Sequence, residues 1–78
     1  MMKIEVFGTG CAKCQTTKKN IENVLRKHNH SAILSEVNEI DEIVARGVLM
    51  TPAVAIDGEV KISGRVPTES EIEKLLGL

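Results

Sequence analysis

Cys11 and Cys14, in Gly8-Thr9-Gly10-Cys11-Ala12-Lys13-Cys14, are the only two cysteines of the chain. Two thiols at this spacing can exchange disulfides or chelate a soft metal ion. They follow a short apolar stretch and open a helical pattern. A helix N-terminus offers unpaired backbone N–H groups and a partial positive charge. A thiolate is stabilised there relative to a thiol, which makes a sulfur nucleophile available near neutral pH. A purely structural staple would close a longer loop, because the stabilisation from a disulfide grows with loop length. Position, more than spacing, points to redox chemistry.

Four further residues bear on the pair. Lys13 lies between the thiols and reads as a solvated lysine, since an exposed charge contributes little to a neighbour's ionisation. Glu5 could serve as a base for Cys14, directly or through water. Ile4 and Val6 are the natural inward residues of that strand, however, so Glu5 is expected to be exposed. His28 and His30 invite a metal site with the cysteines, but a zinc finger separates its histidines by about three to five residues. A helix would also hold them roughly 25 Å from the thiols at about 1.5 Å per residue. No metal ligand set is expected.

The elements that must position the cysteines follow from periodicity. Lys3–Phe7 alternates polar and apolar residues and predicts a strand, with Met1 and Met2 leading into it. From Cys11 to about Lys27, Cys14, Ile21, Val24, Leu25 and His28 recur at helical spacing, with Thr17 bridging the stripe. Lys18, Lys19, Asn20 and Lys27 fall on the outer face. His28-Asn29-His30-Ser31 ends this helix. Ala32–Val37 is a second strand. Asn38 then reads as the N-cap of a short helix whose apolar face is Ile40, Ile43 and Val44, closed by Gly47.

Met50-Thr51-Pro52 precedes Ala53-Val54-Ala55-Ile56, an unbroken apolar run suited to a strand buried on both faces. Asp57-Gly58 predicts a two-residue hairpin into Val60–Ser63. After Gly64-Arg65-Val66-Pro67, Thr68 and Glu71 form a capping box for a final helix with Ile72, Leu75 and Leu76 inward. The order is β-α-β-α-β-β-α, which implies an α/β fold with a mixed four-stranded sheet flanked by helices.

Composition narrows the classes. With 78 residues, one domain spanning 1–78 is expected, its core near the lower limit for independent folding. The chain is 42% hydrophobic and 27% charged, which is globular rather than disordered. A net charge of -1 and a single aromatic, Phe7, leave neither an electrostatic footprint nor a stacking platform for nucleic acid. No apolar run approaches the ~18 residues of a membrane span. The start reads as a strand and not as an export signal, so a reducing cytoplasm is expected. In that compartment a lone cysteine pair is catalytic or redox-sensing. A small polar surface predicts a monomer.

The series of strand, Cys-x-x-Cys helix, strand, helix, X-Pro, hairpin and helix resembles the thioredoxin-like fold. More narrowly, it is similar to the minimal thioredoxin-like, redox-active disulfide proteins of archaea and bacteria. The likeness covers essentially the whole chain, carried by Gly8–Cys14, Met50-Thr51-Pro52 and the Gly64-Arg65 loop. It implies thiol–disulfide exchange without a cofactor, with Cys11 attacking a substrate disulfide and Cys14 resolving the mixed disulfide. It also implies a cis Pro52 beside the pair, with Thr51, Pro52 and Gly64 forming the substrate-binding loops. The partners implied are a disulfide-containing protein or small molecule and a reductase that recharges the pair.

Glu5 stands at the offset where thioredoxins carry a buried acid. Other positions depart from the related families. Ala12-Lys13 replaces the Gly-Pro of thioredoxins and the Pro-Tyr of glutaredoxins, so their potentials do not carry over. Gly10 stands where thioredoxins have a tryptophan. Arg65 follows Gly64 where glutaredoxins have a second glycine and acidic residues for glutathione.

Two other readings compete. Copper or zinc chaperones of the ferredoxin-like type also place Cys-x-x-Cys between a first strand and helix. They run β-α-β-β-α-β and end on a strand, and Thr9 occupies the position of their usual methionine. A non-catalytic module that binds a partner through Thr51-Pro52 is the other, although it leaves the two cysteines without a task.

Overall fold

A computed structural model describes residues 2–78; the expected lead-in at Met1 lies outside them. The elements are β1 (Met2–Phe7), α1 (Ala12–Lys27), β2 (Ala32–Val37), α2 (Ile40–Ala45), β3 (Ala53–Ile56), β4 (Glu59–Ser63) and α3 (Glu69–Leu76). They form one four-stranded sheet in the order β2-β1-β3-β4. β1 runs parallel to β2 and antiparallel to β3, and β3 is antiparallel to β4. The mixed sheet and the order of elements agree with the expectation from the sequence.

The pleat divides the core in two. Ile4 and Val6 of β1 join Val54, Ile56 and Ile62 beneath Ile21 and Val24 of α1 and Ile72 and Leu76 of α3. Phe7, Ala53 and Ala55 face the other way, where Val37, Ile43 and Val48 complete a smaller cluster. All of β3 is buried, as a strand covered on both faces must be. Asp57 and Gly58 both take positive φ, 51° and 87°, the requirement of the tight hairpin their sequence predicts.

Three local expectations need correction. Glu39, not Asn38, is the N-cap of α2, and its side chain makes no capping bond. Only Ile43 of α2 is buried; Ile40 and Val44 are 66% and 59% exposed. A six-residue helix makes fewer than two turns, so it presents one position to the sheet and not a stripe. Asn20 is not a solvated residue, because its amide donates to the Pro67 carbonyl at 3.0 Å.

Helix ends otherwise follow the sequence. Asn29 closes α1 at φ 50°, in the left-handed region that Asn tolerates, and the His30 N–H reaches the Leu25 carbonyl at 2.8 Å. His28 sits at the helix C-cap, mostly off the apolar stripe, with Nε2 2.6 Å from Glu73 of α3. The Thr68 hydroxyl accepts from the Glu71 N–H, and the Glu71 carboxylate accepts from the Thr68 N–H. Replacing Thr68 by Ala strands that Glu71 N–H and should cost about 1 kcal/mol. In thermal denaturation this appears as a melting temperature lower by roughly 4–8 °C for a domain of this size.

Candidate functional site

The site gathers at one end of the sheet, and strand register explains how. Phe7 of β1 pairs with Val37 of β2 and with Ala53 of β3, and Ala53 pairs with Ser63 of β4. The residues that continue these strands therefore lie side by side. The Gly8 N–H donates to the Val37 carbonyl at 3.0 Å, and the Gly64 N–H donates to the Pro52 carbonyl at 2.9 Å. Gly8, Pro52 and Gly64, far apart in sequence, thus share one edge of the fold. The Thr51-Pro52 peptide bond is cis, as the resemblance implies.

α1 starts from this end. Cys11 is its N-cap, and the Gln15 N–H closes the first turn on the Cys11 carbonyl at 3.0 Å. Cys11 is exposed, and Cys14, one turn later on the inner face, is buried. The two sulfurs are 2.9 Å apart as free thiols. Cys14 also lines an open groove of about 700 Å³ along α1, together with Val6, Gly8, Lys18 and Glu36. Thr17, fully buried behind the pair, satisfies its hydroxyl by donating to the Lys13 carbonyl at 2.8 Å.

Electrostatics separate the two thiols. The Cys14 S–H donated to Cys11, followed by backbone N–H groups at the helix start, holds the Cys11 pKa below the ordinary thiol value. Burial, followed by the adjacent Cys11 sulfur, pushes the Cys14 pKa up. Charge therefore settles on the exposed sulfur. The Lys13 contribution to Cys11 comes from its backbone N–H, so its ammonium is not what tunes the pair.

Glu5 is the principal surprise. It is 5% exposed, not solvated as its residue type suggests. Arg46 accounts for it, with two guanidinium nitrogens 2.9 and 2.7 Å from the carboxylate and the guanidinium 5.1 Å above the Phe7 ring. Glu5 pairs with Ala55 across the sheet, so it lies on the α2 face, away from α1 and Cys14. The Arg46 hydrogen bonds, opposed by burial, hold its carboxyl below the usual range. A carboxylate so bound and so placed is not the base for Cys14.

The loops beside the cysteines carry contacts that spacing does not reveal. The Ser63 hydroxyl donates to the Met50 carbonyl at 3.2 Å, and Gly64 leaves the space in which the Met50 side chain lies. Thr51 is exposed next to them and Pro52 is buried. Arg65 is held by Glu71 through bonds of 2.7 and 2.6 Å. Among the described residues no group of three or more metal-ligating side chains comes together. No helix among them is long and apolar enough to cross a membrane.

Several carboxylates titrate lower in the fold than in the unfolded chain. Glu71 falls from 4.5 to about 2, chiefly through the Arg65 hydrogen bonds, and Glu5 and Glu73 move in the same direction. Their stabilisation is complete above the unfolded value and is lost as pH drops through the folded one. The urea midpoint should therefore hold near neutrality and fall steadily from about pH 4.5 toward 2. A midpoint unchanged at pH 3 would contradict this assignment.

The family model described as "Thioredoxin domain" matches residues 2–77. A protein named thioredoxin from Methanothermobacter thermautotrophicus is 42% identical over 76 residues, covering 97% of this chain and 99% of that protein. A second thioredoxin, from Methanocaldococcus jannaschii, is 36% identical over 76 residues, covering 97% of this chain and 87% of its own.

Proposed function

The chain belongs to the thioredoxin domain family, and from that premise we infer how its cysteine pair works. The protein is a thiol–disulfide oxidoreductase. In our reading Cys11 is the attacking thiolate: it adds to one sulfur of a substrate disulfide and expels the other as a thiolate. Cys14 then loses its proton and attacks the Cys11 sulfur of the mixed disulfide. The second substrate thiol leaves, and a Cys11–Cys14 disulfide remains. Two electrons pass from the dithiol to the substrate.

The observation that carries this assignment is the asymmetry of the pair. The exposed sulfur has its pKa lowered, and the buried one, 2.9 Å away, has its pKa raised. A nucleophile must be ionised and reachable; a resolving thiol must be near and protected until needed. We assign Thr51, Pro52 and Gly64 to substrate binding, an assignment supported by their shared edge with Gly8 and by the exposure of Thr51. An extended substrate segment fits there by strand-like pairing with the backbone. Substrates are disulfide-containing proteins or small molecules, and a reductase restores the dithiol. We place the protein in a reducing cytoplasm, as a monomeric single domain over 1–78 that binds no nucleic acid.

The topology also speaks against a ferredoxin-like metal carrier, since α2 separates β2 from β3 and β4 follows β3 directly. Reduction of insulin by dithiothreitol tests the reading. The protein should accelerate insulin precipitation well above the dithiothreitol background. A background rate together with stoichiometric Cu(I) uptake would replace it with the metal-carrier alternative.

A further inference from the structure

Gly8 is a glycine for a reason its backbone does not supply. Its φ lies outside the left-handed range, unlike those of Gly10, Gly47, Gly58, Gly64 and Gly77, so an L-residue could adopt its conformation. Space is the obstacle. A Cβ built on Gly8 would overlap the Cys14 sulfur and lie 3.0 Å from the Cys14 Cβ. Neither side can readily yield. Gly8 is buried and pinned by its N–H to Val37 at the end of β1. Cys14 sits inside α1, where one staggered χ1 well is closed by the preceding turn.

We propose that Gly8 is a positioning residue that seats the Cys14 sulfur against the end of β1, within reach of Cys11, and so sets the rate at which the mixed disulfide is resolved. The proposal rests on Cys14 being the resolving thiol. An alanine at position 8 turns the sulfur away or lifts α1 from the strand end. Either movement spoils the approach of Cys14 to the Cys11–substrate bond and leaves Cys11, exposed at the helix start, free to make its first attack. Exchange would stall at the covalent intermediate. A misplacement of ~1 Å in a reacting group is enough to cost about 10²-fold in rate.

The test uses the reduced parent and Gly8→Ala, each mixed with one equivalent of dithiobis-nitrobenzoate. The first thionitrobenzoate released reports attack by Cys11, and the second reports closure by Cys14. Measured at a pH high enough that Cys11 is fully ionised in both proteins, so that loss of the Cys14 S–H donated to it does not change the thiolate fraction, Gly8→Ala should keep the first rate within about twofold. It should slow the second release by about tenfold or more, and the mixed disulfide should accumulate by mass spectrometry. Equal second-phase rates, or equal slowing of both phases, would overturn the proposal. A parent that never releases a second equivalent would instead overturn the exchange reading on which it rests.

Stability supplies a readout independent of the chemistry. Gly8→Ala should lower the melting temperature in the parent and lower it less in a Cys14→Ala background, where the obstructing sulfur is gone. The same loss in both backgrounds would contradict the steric origin, even if Gly8→Ala alone folds poorly.

Discussion

Cys14→Ser should arrest the protein on its substrate, yielding a covalent complex through Cys11 that persists until a strong reductant is added. Cys11→Ser should do the reverse, reducing insulin no faster than dithiothreitol alone and trapping nothing. The asymmetry follows from position. Cys11 caps α1 in solvent, with the Cys14 S–H and then backbone N–H donors stabilising its negative charge, whereas burial keeps Cys14 neutral until a mixed disulfide forms beside it. Serine at 14 removes the only sulfur within 2.9 Å that can release the substrate. Non-reducing electrophoresis and mass spectrometry of the two variants with oxidised insulin distinguish these outcomes. Equal trapping by both variants would mean that the two thiols are interchangeable.

Arg46→Met should produce the largest loss of stability of any surface-accessible substitution, a drop of roughly 10 °C in melting temperature. Removing one partner of a buried pair leaves an uncompensated charge, which typically costs about 3–5 kcal/mol. The effect here is smaller, because the Arg46 side chain is 33% exposed and water can reach part of the vacated space. Glu5 stays 6% exposed at its side chain, keeps the half-exposed Lys3 ammonium at 3.9 Å as a weaker partner, and must then take up a proton or drag water under α2. Packing over Phe7 is lost as well. Glu5→Met combined with Arg46→Met should recover most of the deficit, since two apolar side chains can replace an ion pair at little cost. Additive losses in the double variant would show that the pair itself is not the source.

Much of this was legible in residue order. The strands, the hairpin at Asp57-Gly58, the Thr68 capping box and the inner face of α1 rest on local periodicity and turn chemistry, and the fold places them accordingly. The burial of Glu5 was legible only through the resemblance, which puts a buried acid at that offset; residue type and alternation miss it, because the residue that makes the burial tolerable is Arg46, 41 positions away. Local pattern misses Gly8 too, whose dependence on Cys14 arises only when α1 packs on the end of β1. The short α2 misleads for a related reason. Its apolar residues suggest a stripe, yet six residues cannot lay a stripe on a sheet, and the Glu5–Arg46 pair covers part of that face instead.

The proposed mechanism requires that Cys11 alone be the ionised, accessible sulfur. Alkylation by iodoacetamide across pH, with peptide mapping of the modified cysteine, tests it most directly. Modification should fall on Cys11, with a midpoint below the ordinary thiol value of 9.0, while Cys14 stays unmodified in the folded protein. Modification of Cys14 first, or a Cys11 midpoint at or above that value, would contradict it.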